Sequence, residues 1–89
     1  MILNFTPNIH FTKLIKAADK LREFNFRKIT SPNGPLFSID VADDRGNRIT
    51  FKMQQEGSNW RFMDATLPNW IIAAEEQLNA KIAEEAHTF

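Results

Sequence analysis

Apolar and polar positions alternate along the middle of the chain, as expected for strands that bury one face. The clearest runs are residues 36–41 and 48–53, separated by a turn-forming segment that contains Gly46. A three-residue loop ending at Gly46 gives a register in which every apolar residue meets an apolar partner. The resulting pairs are Val41 with Ile49, Ile39 with Phe51, and Phe37 with Met53. We therefore predict a β-hairpin here.

The same alternation extends the sheet on both sides. A loop at residues 31–34 pairs Phe26 with Ile39. Beyond Gly57, a loop of either two or four residues places Trp60 and Phe62 beside the buried residues of the preceding strand. The predicted result is a meander of four antiparallel strands, at residues 23–30, 36–42, 48–55 and 59–65.

Helical spacing of apolar residues predicts one helix on each side of this sheet. The first covers residues 8–22, and the second starts near Pro68 and runs for about five turns. The apolar stripe of the first consists of Phe11, Leu14, Ile15, Ala18 and Leu21, with Lys13, Lys16 and Lys20 opposite. The stripe of the second consists of Leu67, Ile71, Ala74, Leu78 and Ile82.

Two amphipathic helices and a sheet with one apolar face are expected to bury those faces against each other. The predicted fold is a single two-layer α+β domain over residues 1–89, of order α-β-β-β-β-α, with both helices on one face. The α-β-β-β-β part resembles the cystatin-like arrangement, and helices flanking a sheet are similar to small secretion-chaperone folds, which bind partner proteins. Gln54-Gln55-Glu56-Gly57 departs from the Gln-Val-Val-Ala-Gly type of the cystatin inhibitory hairpin, so we assign no family.

The composition is that of a globular protein: 43% hydrophobic and 25% charged residues, without cysteine. It excludes a disordered tail, a collagen-like repeat and a disulfide scaffold. No apolar run approaches the ~18 residues of a membrane span, and the first residues lack the pattern of a secretory signal. We therefore expect a cytoplasmic protein that does not enter a membrane.

The 11 basic and 11 acidic side chains cancel, so the protein has no overall positive field to attract nucleic acid. We therefore do not expect nucleic acid as a partner. Their distribution is uneven. Residues 1–35 hold six basic against two acidic side chains, and residues 36–89 hold five against nine. Solvated helix faces explain this pattern, and head-to-tail association between molecules is the functional alternative.

Few residues indicate chemistry. The only histidines, His10 and His87, lie near opposite chain ends, and we expect His10 to be a structural residue beside the first apolar stripe. The absence of cysteine leaves no zinc spacing, and the glycine after Asp40, Asp43 and Asp44 does not fit a calcium loop. We therefore expect no metal, no cofactor and no catalytic residue, and an enzyme is not the favoured class.

The candidate binding surface is the sheet face that the helices leave open. Its proposed contact residues are Arg27, Ile29, Leu36, Lys52, Arg61 and Met63, three apolar side chains within a rim of cations. The alternative is a solvated face of cross-strand charge pairs, in which Asp40 lies diagonal to Arg27 and Lys52 and neutralises them. Trp70 and Ile72, at the margins of the last helix, are candidate contacts of a homodimer.

The function predicted from sequence is a small protein-binding module without catalytic activity, whose partner is another protein or a second copy. The alternative is a small-molecule-binding or catalytic module with a pocket between sheet and helices. Ten aromatic side chains could line such a pocket. A core filled by those aromatics favours the first hypothesis, and an internal cavity favours the second.

Overall fold

The computed structural model describes residues 9–32, 34–64 and 66–85. Its elements are strands β1 (His10–Ala17), β2 (Lys20–Ser31), β3 (Gly34–Ala42), β4 (Arg48–Glu56) and β5 (Asn59–Phe62), then helices α1 (Asn69–Ile72) and α2 (Glu75–Glu85). The strands form one antiparallel sheet of order β1-β2-β3-β4-β5. The fold is therefore α+β, with one more strand than predicted and with both helices after the sheet.

The central hairpin is confirmed. Val41 pairs with Ile49, Ile39 with Phe51, and Phe37 with Met53. Gly46 has φ of 82°, in the left-handed region that its place in the loop requires. Asp43 stabilises the same loop, because its Oδ1 accepts hydrogen bonds from the amides of Arg45 and Asn47 at 2.9 and 2.8 Å.

The neighbouring strands also follow the predicted parity. Phe26 pairs with Ile39 across β2 and β3. The turn at Gly57 has two residues, which places Phe62 opposite Met53 and Trp60 opposite Gln55, two pairs nearer the turn. Both aromatic rings still pack inward: Trp60 lies edge-on to Phe37, with ring centres 5.0 Å apart, and Phe62 lies edge-on to Phe51 at 5.5 Å.

The predicted first helix is wrong, because the described part of residues 8–22 forms β1, a turn and the start of β2. Leu14 and Leu21, two members of the supposed apolar stripe, are 59% and 65% exposed. The residues of β1 that face the core are Phe11, Lys13, Ile15 and Ala17. Lys13 interrupts the series of apolar residues on this face, so the alternation typical of a strand is lost. The apolar residues of the segment then recur at a spacing that resembles that of a helix.

The charge of Lys13 on the inner face is compensated by an ion pair: its Nζ lies 2.9 Å from Glu85 Oε2 at the end of α2. Hydrogen bonding to Glu85 raises the pKa of Lys13 above its usual value. The pair joins the basic first part of the chain to the acidic last part within one molecule. A single lysine on the core side of a strand is tolerated here through a partner far away in sequence.

The turn between β1 and β2 consists of Ala18 and Asp19, with φ of 54° and 64°. Two central residues with positive φ define a type I′ turn, which glycine and asparagine favour. Alanine carries a cost in this region because its Cβ approaches the following carbonyl. Asp19 is a residue that favours turns, but alanine at position 18 gives no sign of the left-handed conformation.

The last helix differs from the prediction in length but not in the side it buries. It is interrupted between α1 and α2 at Ala73 and Ala74. Ile71, Ala74, Leu78 and Ile82 are at most 2% exposed, and Leu67 packs against them. The predicted apolar stripe is therefore confirmed, and it covers the inner face of the sheet.

Helix α2 also closes the two edges of the sheet, which curls until both edge strands reach it. On β5, the amide of Trp60 donates to Asn79 Oδ1 at 2.7 Å and that of Phe62 donates to Glu75 Oε2 at 3.3 Å. On β1, Gln77 Nε2 donates to the Lys16 carbonyl at 3.4 Å. Side chains of one helix thus hydrogen-bond to backbone groups of the two edge strands with which an additional strand could otherwise pair.

Replacing Ala18 by glycine should raise the free energy of unfolding by about 1 kcal/mol, because glycine adopts positive φ without steric cost. Urea unfolding measures this change. Ala80→Gly is the matched control: Ala80 is exposed in the interior of helix α2, so glycine there should destabilise. If both variants lose stability, the left-handed turn is not the solution conformation.

Asn79→Ala should lower the free energy of unfolding by about 1–3 kcal/mol, since it leaves the Trp60 amide without its acceptor. Asn79→Asp keeps an acceptor and should lose less. Asn59→Ala is the control, because it removes only the exposed bond between Asn79 Nδ2 and Asn59 Oδ1. Equal losses in Asn79→Ala and Asn59→Ala would contradict the role of Asn79 as an edge cap.

Candidate functional site

The six predicted contact residues lie together on the outer face of the sheet, in two adjacent cross-strand rows. The first row runs Ile29, Leu36, Gln54 and Arg61, and the second runs Arg27, Ser38, Lys52 and Met63. We call the set of Arg27, Ile29, Leu36, Lys52, Arg61 and Met63 the outer patch. Correct strand parity and register are sufficient to bring these residues together.

The outer patch combines free charge with accessible apolar surface. Arg27, Lys52 and Arg61 are exposed, Ile29 and Leu36 are half-buried, and Met63 is 46% exposed. Among the described residues, none of the three cations has a carboxylate within ion-pair distance. Arg27 and Lys52 lie two strands apart, which is about 10 Å between their Cα atoms. The patch can therefore bind an anionic group at two points.

Asp40 does not neutralise these cations, although it lies diagonal to Arg27 and Lys52 as expected. Its Oδ1 instead pairs with Arg48 Nη1 and accepts a hydrogen bond from Asn25 Nδ2 at 3.0 Å. Thr12 donates in turn to Asn25 Oδ1 at 2.7 Å. This network crosses four strands and satisfies Asp40 away from the outer patch, so the cations of the patch keep their charge.

A shallow groove of about 400 Å³ lies above this network. Its lining residues are His10, Thr12, Asn25, Phe26, Arg27, Asp40 and Arg48. His10 is exposed at this position and pairs with Arg27 across β1 and β2. The expectation that His10 supports the core is therefore wrong, because the segment is a strand and His10 has outer-face parity. His87 lies outside the described residues.

Sequence reasoning missed Arg22, which lies on the inner face and is only 7% exposed. Its Nε donates to the Ala17 carbonyl at 2.8 Å, and its Nη2 lies 2.9 Å from Asp44 Oδ1. The guanidinium also stacks on Trp70, with Cζ 4.5 Å from the ring centre. Parity with Phe24 could have found Arg22, but the helical interpretation of residues 8–22 concealed it. Its contacts are internal and indicate a structural role.

The lysine stripe expected on the first helix is dispersed by the hairpin. Lys13 faces inward to Glu85, and Lys20 Nζ lies 2.6 Å from Asp44 Oδ1. Lys16 is exposed on the outer face, at the opposite end from the outer patch. No continuous basic face therefore arises from these three lysines.

The two candidate dimer contacts differ in their surroundings. Trp70 is half-buried, packs against the core and stacks on Arg22, so most of its surface is used within the molecule. Ile72 is 46% exposed at the end of α1. Of the pair, Ile72 offers surface to a partner.

Within residues 9–32, 34–64 and 66–85, no three histidine, cysteine or acidic side chains converge as metal ligands would. No described helix has the length and apolar character needed to cross a membrane. Comparison of the chain with known protein families, characterised proteins and solved structures finds no match.

Two carboxylates of the loop between β3 and β4, Asp43 and Asp44, make the free energy of unfolding depend on pH. Hydrogen bonds from Lys20 and Arg22 lower the pKa of Asp44 below 3.8, and bonds from the Asn47 and Arg45 amides lower that of Asp43. A lowered carboxyl pKa stabilises the fold at neutral pH, and this contribution disappears as the pH falls through the folded-state pKa.

Asp44→Asn should therefore lower stability at pH 7 and weaken its dependence on pH between about 5 and 2. Urea unfolding over this range measures the effect. Glu56→Gln is the control, because Glu56 is exposed and forms no ion pair with any described residue. An Asp44→Asn profile parallel to that of the parent would contradict the assigned role.

Proposed function

We propose that the chain is a small cytoplasmic protein-binding module without catalytic activity, and that it binds through the outer patch. One contrast carries this proposal. The neighbouring carboxylate Asp40 is paired with Arg48 within the molecule, whereas no described carboxylate lies within ion-pair distance of the side chains of Arg27, Lys52 or Arg61. Exposed cations beside Ile29, Leu36 and Met63 suit a partner that carries both carboxylates and apolar side chains.

The composition of the patch supports this assignment. Arginine and methionine are enriched in protein interfaces, where the arginine stem packs on apolar neighbours while its head binds an anion. The two patch rows span four strands, so the partner would meet a broad surface rather than a cleft. The cations can also speed the encounter with an acidic partner.

The packing of the inner face does not favour the alternative of a ligand pocket between sheet and helices. Phe24, Phe26, Phe37 and Phe51 are at most 1% exposed and fill this space together with Ile71, Leu78 and Ile82. In the described part of the chain, every buried side-chain nitrogen and oxygen has a hydrogen-bond partner. No buried polar group is thus left to orient a ligand.

Capture from a cell extract by immobilised protein tests the proposal. Arg27→Ala with Lys52→Ala should weaken retention of the partner about tenfold or more, because central interface residues carry most of the binding energy. Lys16→Ala with Arg45→Ala is the matched control, since both side chains are exposed outside the patch. Full retention by the patch variant would contradict the assignment. Loss of retention in both variants would indicate attraction by charge alone.

A further inference from the structure

The solvent-facing side of α2 carries charge opposite to that of the outer patch. Leu78 and Ile82 are fully buried, and a rotation of about 100° per residue places Glu76, Ala80 and Ala83 on the other side of the helix. These three residues and Glu84, which follows one turn after Ala80, are all exposed. We call the four residues the acidic strip.

The two glutamates of the acidic strip are available for an external contact. Glu76 has no ion pair within the described residues, and the one ion pair of Glu84 there is with Lys81, at 3.5 Å on the same helix. The other two glutamates of α2 are used internally: Glu75 accepts from the Phe62 amide and Glu85 pairs with Lys13. The carboxylates of Glu75 and Glu85 thus contact the sheet, whereas those of Glu76 and Glu84 lie on the exposed side of the helix.

The dimensions of the acidic strip and the outer patch agree. Glu76 and Glu84 are eight residues apart, which is about 12 Å along a helix, and Arg27 and Lys52 are about 10 Å apart across the strands. A helix lying across the strands would bring both carboxylates to the two cations. Ala80 and Ala83 would let it approach Leu36 and Met63 closely.

From this complementarity we propose that the outer patch binds the acidic strip of a second copy of this chain. The inference rests on the proposed function, because it assigns an occupant to the same patch. Arg61 lies at the β5 end of the patch, where it and Glu76 line one groove of the same molecule without forming an ion pair. Arg27 and Lys52 are therefore the cations expected to meet the second copy.

The geometry also fixes the kind of assembly. Helix α2 covers the inner face and turns its acidic strip away from the sheet, whereas Arg27 and Lys52 project from the outer face. One molecule thus carries the two surfaces on opposite faces of the sheet, and they adjoin at the β5 edge, where Arg61 and Glu76 line one groove. A contact between two unlike surfaces on opposite faces is heterologous and repeats from molecule to molecule instead of closing into a twofold dimer.

Light scattering tests the inference, at concentrations from about 10 μM to about 1 mM, a range in which weak contacts populate complexes. At low salt the average mass should rise from 10.3 kDa past twice that value. Arg27→Gln with Lys52→Gln, and separately Glu76→Gln with Glu84→Gln, should each weaken self-association about tenfold or more. Lys16→Gln with Arg45→Gln controls for the loss of positive charge.

The decisive sample is an equimolar mixture of the two Gln variants. Each variant retains one intact surface, so the mixture should form 1:1 pairs of twice 10.3 kDa and grow no further. A parent protein that stays monomeric, a parent that stops at a dimer, or variants that do not pair when mixed would each overturn the inference. Circular dichroism confirms that the variants are folded.

The capture experiment separates failure of this inference from failure of the proposed function. The acidic-strip variant keeps the outer patch, so it should retain a different partner from extract as the parent does. Retention without self-association would overturn the second copy as occupant and leave the patch a binding surface. Absence of both would contradict the patch itself.

Discussion

The apolar inner face of the sheet has to be covered, and one helix does this while also closing both sheet edges. Leu78 and Ile82 of α2 bury the face, Asn79 and Glu75 accept the free amides of β5, and Gln77 donates to a carbonyl of β1. Because these tasks fall on one helix, its buried and edge-facing positions are fully used. Only the side of α2 that faces solvent remains free to vary in charge.

The central strands could be predicted because local signals agree there: alternation, a loop glycine and matched apolar pairs all favour one register. The first hairpin could not, because its two unusual features depend on distant structure. Lys13 is stable on the inner face only through Glu85, and Ala18 adopts positive φ without a residue type that announces it. Here tertiary contacts override local propensity.

The outer patch was within reach of sequence reasoning because strand parity assigns each residue to a face. The cation that binds Asp40 could not be predicted, because Arg27, Arg48 and Lys52 all lie within reach of it and the register alone does not choose among them. Arg48 binds it, which frees Arg27 and Lys52. Arg22 shows the same limit on the inner face, since only the packed structure reveals that Asp44 and Trp70 accommodate its charge.

Every strand of this sheet pairs with its neighbour in the chain. The strand contacts are therefore local in sequence, whereas many β proteins must first join distant segments. Each hairpin can form by closing a short loop, and only the docking of α2 against β1 closes nearly the whole described chain. The contact order of the sheet is thus low for a β-rich fold, and we expect the hairpins to form early and the helix to lock them last.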